Sequence, residues 1–288
     1  MSTVAISHPE KVMFPDDGIT KGELAAYYEL VAPIMVPHLR GRPVTMERFH
    51  RGIGAPGFFQ KNVEKGAPAW LERVTVPKKD VVVNYPVVED ARGLMWLANQ
   101  NCITPHVWTS RVPDLFKPDL CVFDLDPLDD DQPRLRAAAL LLRDCLSELR
   151  LTSWVKTSGS KGYHIVVPLD AKAEYGSVAR FAHELGEAVV RRDPKNLTRE
   201  FHKVDRGGRI LVDTGRNEYS ATFAAAYAVR ARPGAPVSAP CTWDEITDAV
   251  AEPTTFTLRN MPERIAKVGD VWSDMLECAQ SLRGVAER

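Results

Sequence analysis

The spacing of apolar positions changes along the chain and marks out its elements. Recurrence every three to four residues predicts a helix; alternation or a short unbroken run predicts a strand. Residues 4–20 hold a short strand-like piece and the turn Pro15-Asp16-Asp17-Gly18. Thr20 then reads as an N-cap, with Glu23 three residues on completing a capping box. The helix runs through Leu24, Tyr27, Tyr28, Leu30 and Val31, and Pro33 is expected to break or bend it. Pro43–Phe49 alternates as a strand, and Gly52, Gly54 and Gly57 make a flexible loop ending in Phe58-Phe59-Gln60-Lys61. Val81–Val83 reads as a strand, Gly93–Gln100 as a helix and Ile103–Trp108 as an extended piece.

From Asp119 the pattern becomes denser. Four apolar residues lead into Asp124-Leu125-Asp126-Pro127, the end of a buried strand. Helices are predicted over 134–149 and 175–192, and strands over 153–156 and 163–168. A hairpin is expected from Glu200–Asp205 and Arg209–Asp213 about a turn at Arg206-Gly207-Gly208. This order predicts one mixed, largely antiparallel sheet with two helices on one face. Residues 224–232 read as extended, and amphipathic helices are expected at about 243–250 and 270–283. There is no internal repeat, low-complexity tract or long linker.

Composition narrows the class. With 288 residues and 44% apolar content the chain can bury a real core, as one large domain or two smaller ones. Its five cysteines are scattered and never spaced C-x-x-C, which argues against a disulfide framework or structural zinc and for a reducing compartment. The N-terminus is not a signal peptide, and no apolar run approaches the roughly 20 residues of a membrane span. A soluble, cytoplasmic protein is expected. The net charge of −1 announces no polyanionic partner, but its distribution does. Arg40, Arg42, Arg48, Arg51, Lys61, Lys65, Arg73, Lys78 and Lys79 fall in one span, and Lys195 to Arg232 form a second basic stretch. Such local surfaces suit a phosphate backbone.

Candidate chemistry begins at Asp124 and Asp126. On a strand they project from one face with Cα atoms roughly 6.5–7 Å apart. Their mutual repulsion would be relieved by a hard divalent cation such as Mg²⁺ or Mn²⁺. A bare pair reads first as a solvated strand end; its place after a buried run moves the reading towards function. Asp213 repeats the pattern, an apolar run ending in a carboxylate, and makes a triad possible. Thr157-Ser-Gly-Ser-Lys-Gly162 lies between two strands and offers N–H groups, hydroxyls and an ammonium to an anion, with His164 just beyond. It lacks the P-loop spacing. Phe58 and Phe59 beside Arg48, Arg51 and Lys61 suit base stacking next to phosphates, or form a locally packed pair.

Taken together, these stretches resemble the primase–polymerase (archaeo-eukaryotic primase-like) domain of bacterial ligase D and its stand-alone relatives. The resemblance rests on Lys11-Val-Met-Phe-Pro15, Gly18–Gly22, Pro37–Pro43, Gly57–Lys61, Trp96–Asn99, His106-Val-Trp108, Phe123–Pro127, Lys156–His164, Val212-Asp213 with Arg216-Asn217, Val229–Pro233 and Trp243–Ile246. They span nearly the whole chain in the family's order.

The resemblance implies an α+β fold: a mixed, mainly antiparallel sheet with an RRM-like catalytic core flanked by helices. It implies one catalytic domain over 1–288, with a DNA-end-binding α/β lobe (1–117), a catalytic core (118–240) and a C-terminal helical segment (241–288). It implies template-directed nucleotidyl transfer, with ribonucleotide preference, at DNA gaps or breaks carrying a 5′-phosphate, in end joining or gap filling. Asp124, Asp126 and Asp213 match the family's carboxylates for two metals, manganese or magnesium. His106, Ser158, Ser160, Lys161, His164, Arg206 and Arg230 fall on or next to positions that bind the incoming nucleotide. Lys11 and Lys21 match the 5′-phosphate pocket, and Phe58 and Phe59, with Arg48 and Lys61, the DNA surface. Implied partners are DNA, NTP or dNTP, Ku and a DNA ligase, for a monomer associated with the nucleoid.

Three positions depart from the pattern: His8 where an asparagine is expected, Glu47 where some relatives are basic, and Thr214-Gly215 in place of an aromatic residue. Two rival readings are a phosphohydrolase with Asp124 as nucleophile and a non-catalytic DNA-end-binding module. The first wants Thr where this chain has Leu128.

Overall fold

The computed structural model describes residues 4–78 and 81–284, so Lys79 of the first basic span lies outside the described residues. The N-terminal part opens with strands β1 (Val12–Phe14) and β2 (Ile19–Thr20) and helix α1 (Lys21–Leu39). Strands β3 (Val44–Arg48), β4 (Phe58–Gln60), β5 (Arg73–Lys78) and β6 (Val81–Pro86) follow, then α2 (Ala91–Asn99), β7 (Cys102–Trp108) and β8 (Ser110–Arg111). The central part runs β9 (Asp114–Pro118), β10 (Leu120–Asp126), α3 (Gln132–Glu148), β11 (Trp154–Thr157), β12 (Tyr163–Pro168), α4 (Tyr175–Arg192), β13 (Leu197–Thr198) and β14 (Ile210–Asp213). The chain ends through β15 (Thr222–Ala224), β16 (Pro240–Cys241), α5 (Trp243–Thr247) and α6 (Met261–Val268). Among the described residues no helix is long and apolar enough to cross a membrane.

The chain divides into two compact units. Unit 1 holds residues 1–113, 222–238 and 256–270; unit 2 holds 114–221, 239–255 and 271–288. In unit 1 a four-stranded antiparallel sheet has the order β15-β7-β3-β4. Helix α1 starts on the expected capping box, Thr20 Oγ1 accepting from the Glu23 amide and Glu23 from the Thr20 amide. It does not break at Pro33 but continues past Pro37 to Leu39. Burial outweighs the lost helical hydrogen bonds: Leu24, Tyr28, Val31, Met35 and Leu39 are all buried, and Tyr28 Oη donates to the Ile103 carbonyl at 2.6 Å.

Unit 2 is built on a six-stranded sheet of order β13-β14-β10-β12-β11-β16, antiparallel except for the β13–β14 pair. This is the mixed, mainly antiparallel α+β architecture expected. Strand β10 is central, and Cys121, Val122, Phe123 and Leu125 are fully buried. Two expectations fail here. Residues 200–205 form no hairpin with β14: Arg206 Nε and a terminal N–H take the carbonyls of Glu200 and Phe201, which a ladder would have used. β14 pairs instead with β10 and β13. Nor is 270–283 one continuous helix: only a short 3₁₀ helix forms at Ser273–Glu277, and polar groups on either side of it are drawn to the sheet. Trp272 Nε1 donates to Val155 O at 3.1 Å, and Gln280 bonds to both main-chain groups of its neighbour Thr152. Helix α6, over 261–268, is one the pattern did not announce.

Candidate active site

The hydrophobic run of β10 fixes its register, and the register assembles the site. Leu125 is buried on one face, so Asp124 and Asp126 share the other. Across the antiparallel ladder Asp124 stands opposite Asp213, and Asp126 opposite Leu211. Two like charges directly opposite each other destabilise a sheet unless compensated. Arg216 compensates them, with its guanidinium 3.4 Å from Asp124 Oδ2 and 3.6 Å from Asp213 Oδ2. The turn that carries Arg216 is anchored by Asn217, whose side chain accepts from Val122 N at 2.8 Å and donates to Val122 O at 2.7 Å, as a strand neighbour would. Asp126, the most exposed of the three at 40%, pairs with the buried Arg206 at 3.0 Å.

On the other side of β10, His164 stands opposite Asp124 on β12, its Nε2 3.5 Å from Asp124 Oδ1. Lys156, fully buried, lies 2.7 Å from His164 Nδ1. A Lys156 ammonium donating to Nδ1 of a neutral His164 satisfies that contact, and this tautomer carries its ring hydrogen on Nε2, towards Asp124. Burial works to raise the Asp124 pKa. His164, then Arg216 and Lys156, outweigh it and hold the carboxyl well below the usual carboxylate range.

The donor set of the three aspartates is all oxygen, which suits a hard divalent cation. In this structure the arginines meet their charge, and among the described residues no three acidic, His or Cys side chains are gathered tightly enough to hold a metal. The residues fit a divalent ion in donor chemistry and in shared face, while as placed their charge is met by Arg216 and Arg206, which an ion would displace.

The 158–162 loop closes on Ser158. Its hydroxyl accepts from Ser160 N at 3.2 Å and Gly162 N at 3.0 Å, and Ser158 N donates to Gly162 O. Position 162 has to be glycine, since a Cβ there would lie 1.7 Å from the Leu125 carbonyl oxygen. Lys161 is half exposed, donating to Leu128 O at 3.2 Å with Asp130 3.9 Å away.

In unit 1 the structure brings Lys11 and Lys21 together around two asparagines. Buried Lys21 donates to Asn99 Oδ1 at 2.9 Å and to Ser7, while Lys11 donates to Asn101 Oδ1 at 3.3 Å. Burial, and then the charges of Lys11 and Arg48, lower the Lys21 pKa. Arg48 is buried, bonded to Gln60, Glu64 and the Gln100 carbonyl, and its guanidinium sits 5.6 Å from the Phe58 ring centre. Phe58 and Phe59 are both on β4 and both exposed, at 41% and 61%, and half-buried Lys61 follows them. Phe59 packs edge-on against His106, whose Nε2 lies 3.1 Å from Glu47 Oε2. Burial would raise the Glu47 pKa; His106 and, from further off, Arg230 lower it overall.

Several of these groups were not picked out from sequence. Arg216 and Lys156 sat inside recognised stretches, but only a turn and a buried ladder position bring them to Asp124. Glu47 stood out as a departure without a task, and it proves to be the partner of His106. Ser7 carries no local signal, and Asn99 closes the recognised Trp96–Asn99 stretch without a task of its own.

The family model "LigD, primase-polymerase domain" matches residues 20–272. The chain is 34% identical over 271 residues to the multifunctional non-homologous end joining protein LigD of Mycolicibacterium smegmatis, covering 93% of this chain and 35% of that protein. It is 32% identical to the Pseudomonas aeruginosa LigD over 292 residues, covering 99% and 34%. The chain thus spans about a third of the length of these curated relatives. Among solved structures it is similar to the polymerase domain from Mycobacterium tuberculosis ligase D in complex with DNA, with TM-score 0.90, 32% identity, and coverage of 97% of this chain and 100% of that one. By the family model, the relatives and the match in fold, the chain belongs to the LigD primase-polymerase domain family and, with it, to the nucleotidyltransferases.

Proposed function

We propose that this chain is a template-directed polymerase acting in DNA repair. It adds nucleotides, ribonucleotides in preference, to primer ends at gaps or breaks that carry a 5′-phosphate, and so serves end joining. The reading is carried by one observation: neighbouring strands set Asp124, Asp126 and Asp213 on one face, with His164 and Arg216 against them. The names of the relatives, LigD proteins of non-homologous end joining, supply the pathway.

Asp124, Asp126 and Asp213 would hold the divalent ions, two manganese or magnesium per site. When bound, such ions neutralise phosphate charge and make the primer 3′-hydroxyl more acidic. The chain's own groups do the rest. The Lys156–His164 pair keeps an N–H on Asp124 and so fixes its ionised state. Lys161, half exposed on its loop, offers a cation to the triphosphate, and Ser158 holds that loop in shape. In unit 1, Lys11 and Lys21 offer two ammonium groups to a 5′-phosphate, and the exposed faces of Phe58 and Phe59 suit stacking on bases.

Extension of a labelled primer across a short gap with Mn²⁺ and a downstream 5′-phosphate tests the reading. The wild-type chain extends the primer. Asp124→Ala and Asp126→Ala lower the rate by at least about a thousandfold, which corresponds to roughly 4 kcal/mol, and bind the gapped DNA as before. Extension by the double variant at the wild-type rate would contradict the assignment.

A further inference from the structure

The lysine pocket of unit 1 has a histidine at its edge. His50 follows β3, and the backbone sets it near Lys11 by two routes. The Phe49 amide donates to the Asn101 carbonyl at 3.0 Å, and Lys11 Nζ donates to the side chain of the same asparagine at 3.3 Å. Ile53 N donates to Met13 O at 2.8 Å, which ties the loop after His50 to β1. Gly52 allows the approach: its φ is +70°, and a Cβ there would lie 2.7 Å from Met13 O and 2.9 Å from Val12 O. His50 is exposed, and its ring centre is 5.0 Å from that of Phe58. The Arg48 guanidinium stands 5.6 Å from the same ring centre. Arg48 and His50 thus share one exposed aromatic ring beside the pocket.

These contacts gather Lys11, Lys21, Arg48 and His50 into one basic cluster. The acidic groups that face it are Glu64, bonded to Arg48, and Glu10, exposed beside His8. Lysine and arginine ordinarily titrate far above neutrality, whereas histidine titrates close to it. Burial, then Arg48 and Lys11, lower the His50 pKa, with Glu64 opposing them. Without a ligand the imidazole is therefore neutral at pH 7. A terminal phosphate monoester brings close to two negative charges and reverses the field that keeps it so. The imidazolium then formed donates from both ring nitrogens.

We propose that His50 is a third basic contact of the 5′-phosphate, binding it as an imidazolium and taking up a proton as it does so; the inference rests on the 5′-phosphate reading above. The proton comes from solvent and forms an N–H bond on the bare ring nitrogen; no other covalent bond changes. Selectivity for a 5′-phosphate over a 5′-hydroxyl therefore rises as pH falls through neutrality. The rise ends near about pH 6, where a phosphate monoester takes up its own second proton.

Fluorescence anisotropy with gapped DNA carrying either a 5′-phosphate or a 5′-hydroxyl, without nucleotide or metal ion, gives the ratio of the two Kd values. For the wild-type chain this ratio is expected to rise about fivefold from about pH 8 to about pH 6.5, under the ceiling of roughly tenfold per pH unit for one whole proton. His50→Gln keeps a donor at this exposed position without a charge, and its ratio changes by less than about twofold over the same range. His50→Lys carries a fixed charge and holds the ratio near the wild-type acidic value at both pH values. A rise in His50→Gln as steep as in the wild type, or a wild-type preference that ignores pH, would overturn the inference and leave the lysine pocket standing. No preference for the 5′-phosphate in the wild-type chain at either pH would overturn the pocket as well, so the two failures are told apart.

Discussion

At the scale of single residues, chemistry is set by what each charge faces. Lys21 shows this best. It is buried with its ammonium on Asn99 and Ser7, and burial with two nearby cations depresses its pKa below the ordinary 10.5. The cost of holding that charge is present wherever Lys21 is protonated and is relieved as pH rises through the depressed value. A 5′-phosphate would offset the same cost by pairing with the cation. Preference for a 5′-phosphate over a 5′-hydroxyl is therefore expected at neutral pH and lost on the alkaline side before an ordinary lysine titrates. Gap-filling rates on the two substrates across pH measure it. Lys11→Ala with Lys21→Ala reduces the preference by about tenfold or more, since hydrogen bonds to charged groups contribute roughly 1.5–3 kcal/mol each. A preference that survived the double substitution would remove the pocket from the account. The aspartates stood out because each ends an apolar run, whereas by residue pattern the lysines read as solvated surface groups and only the resemblance singled them out. Arg216 and Lys156 were not, because the contacts that give them meaning lie across a turn and a ladder.

At the scale of elements, the site depends on the fit of β10 between β12 and β14. Gly162 and Asn217 hold that fit from either side. Any side chain at 162 would drive the β12 entry off the Leu125 carbonyl, so Gly162→Ala is expected to cost about 3 kcal/mol, the upper range for overpacking. Asn217→Ala leaves both main-chain groups of buried Val122 unpaired, at about 1–3 kcal/mol. Urea unfolding of both variants checks the figures, and losses below about 0.5 kcal/mol would mean the strand end is held otherwise. Helix α4 and strand β10 were readable from periodicity because their apolar faces are long. The stretch 200–205 looked like a strand by alternation, yet Arg206 takes its carbonyls. The tail 270–283 looked amphipathic, yet its tryptophan and glutamine serve the sheet. Local pattern lost in the first place to an arginine turning back on carbonyls five and six residues earlier, and in the second to bonds with residues far off in the sequence.

At the scale of the whole molecule, family membership was legible because eleven short stretches keep their order along the chain. Net charge was not a guide: at −1 it conceals basic spans that only position reveals. The assignment to two units explains why segments far apart in sequence share a task. Residues 222–238 return to unit 1, where β15 completes the sheet that displays Phe58 and Phe59. The triad belongs to unit 2 alone, so its chemistry is the most direct thing to measure. A labelled primer on gapped DNA with a downstream 5′-phosphate, Mn²⁺ and each of the four template bases in turn reports the first nucleotide added. The nucleotide complementary to the template is expected in every case, with ribonucleotides added faster than deoxynucleotides. Addition that ignores the template base, or no addition with the triad intact, would contradict the account.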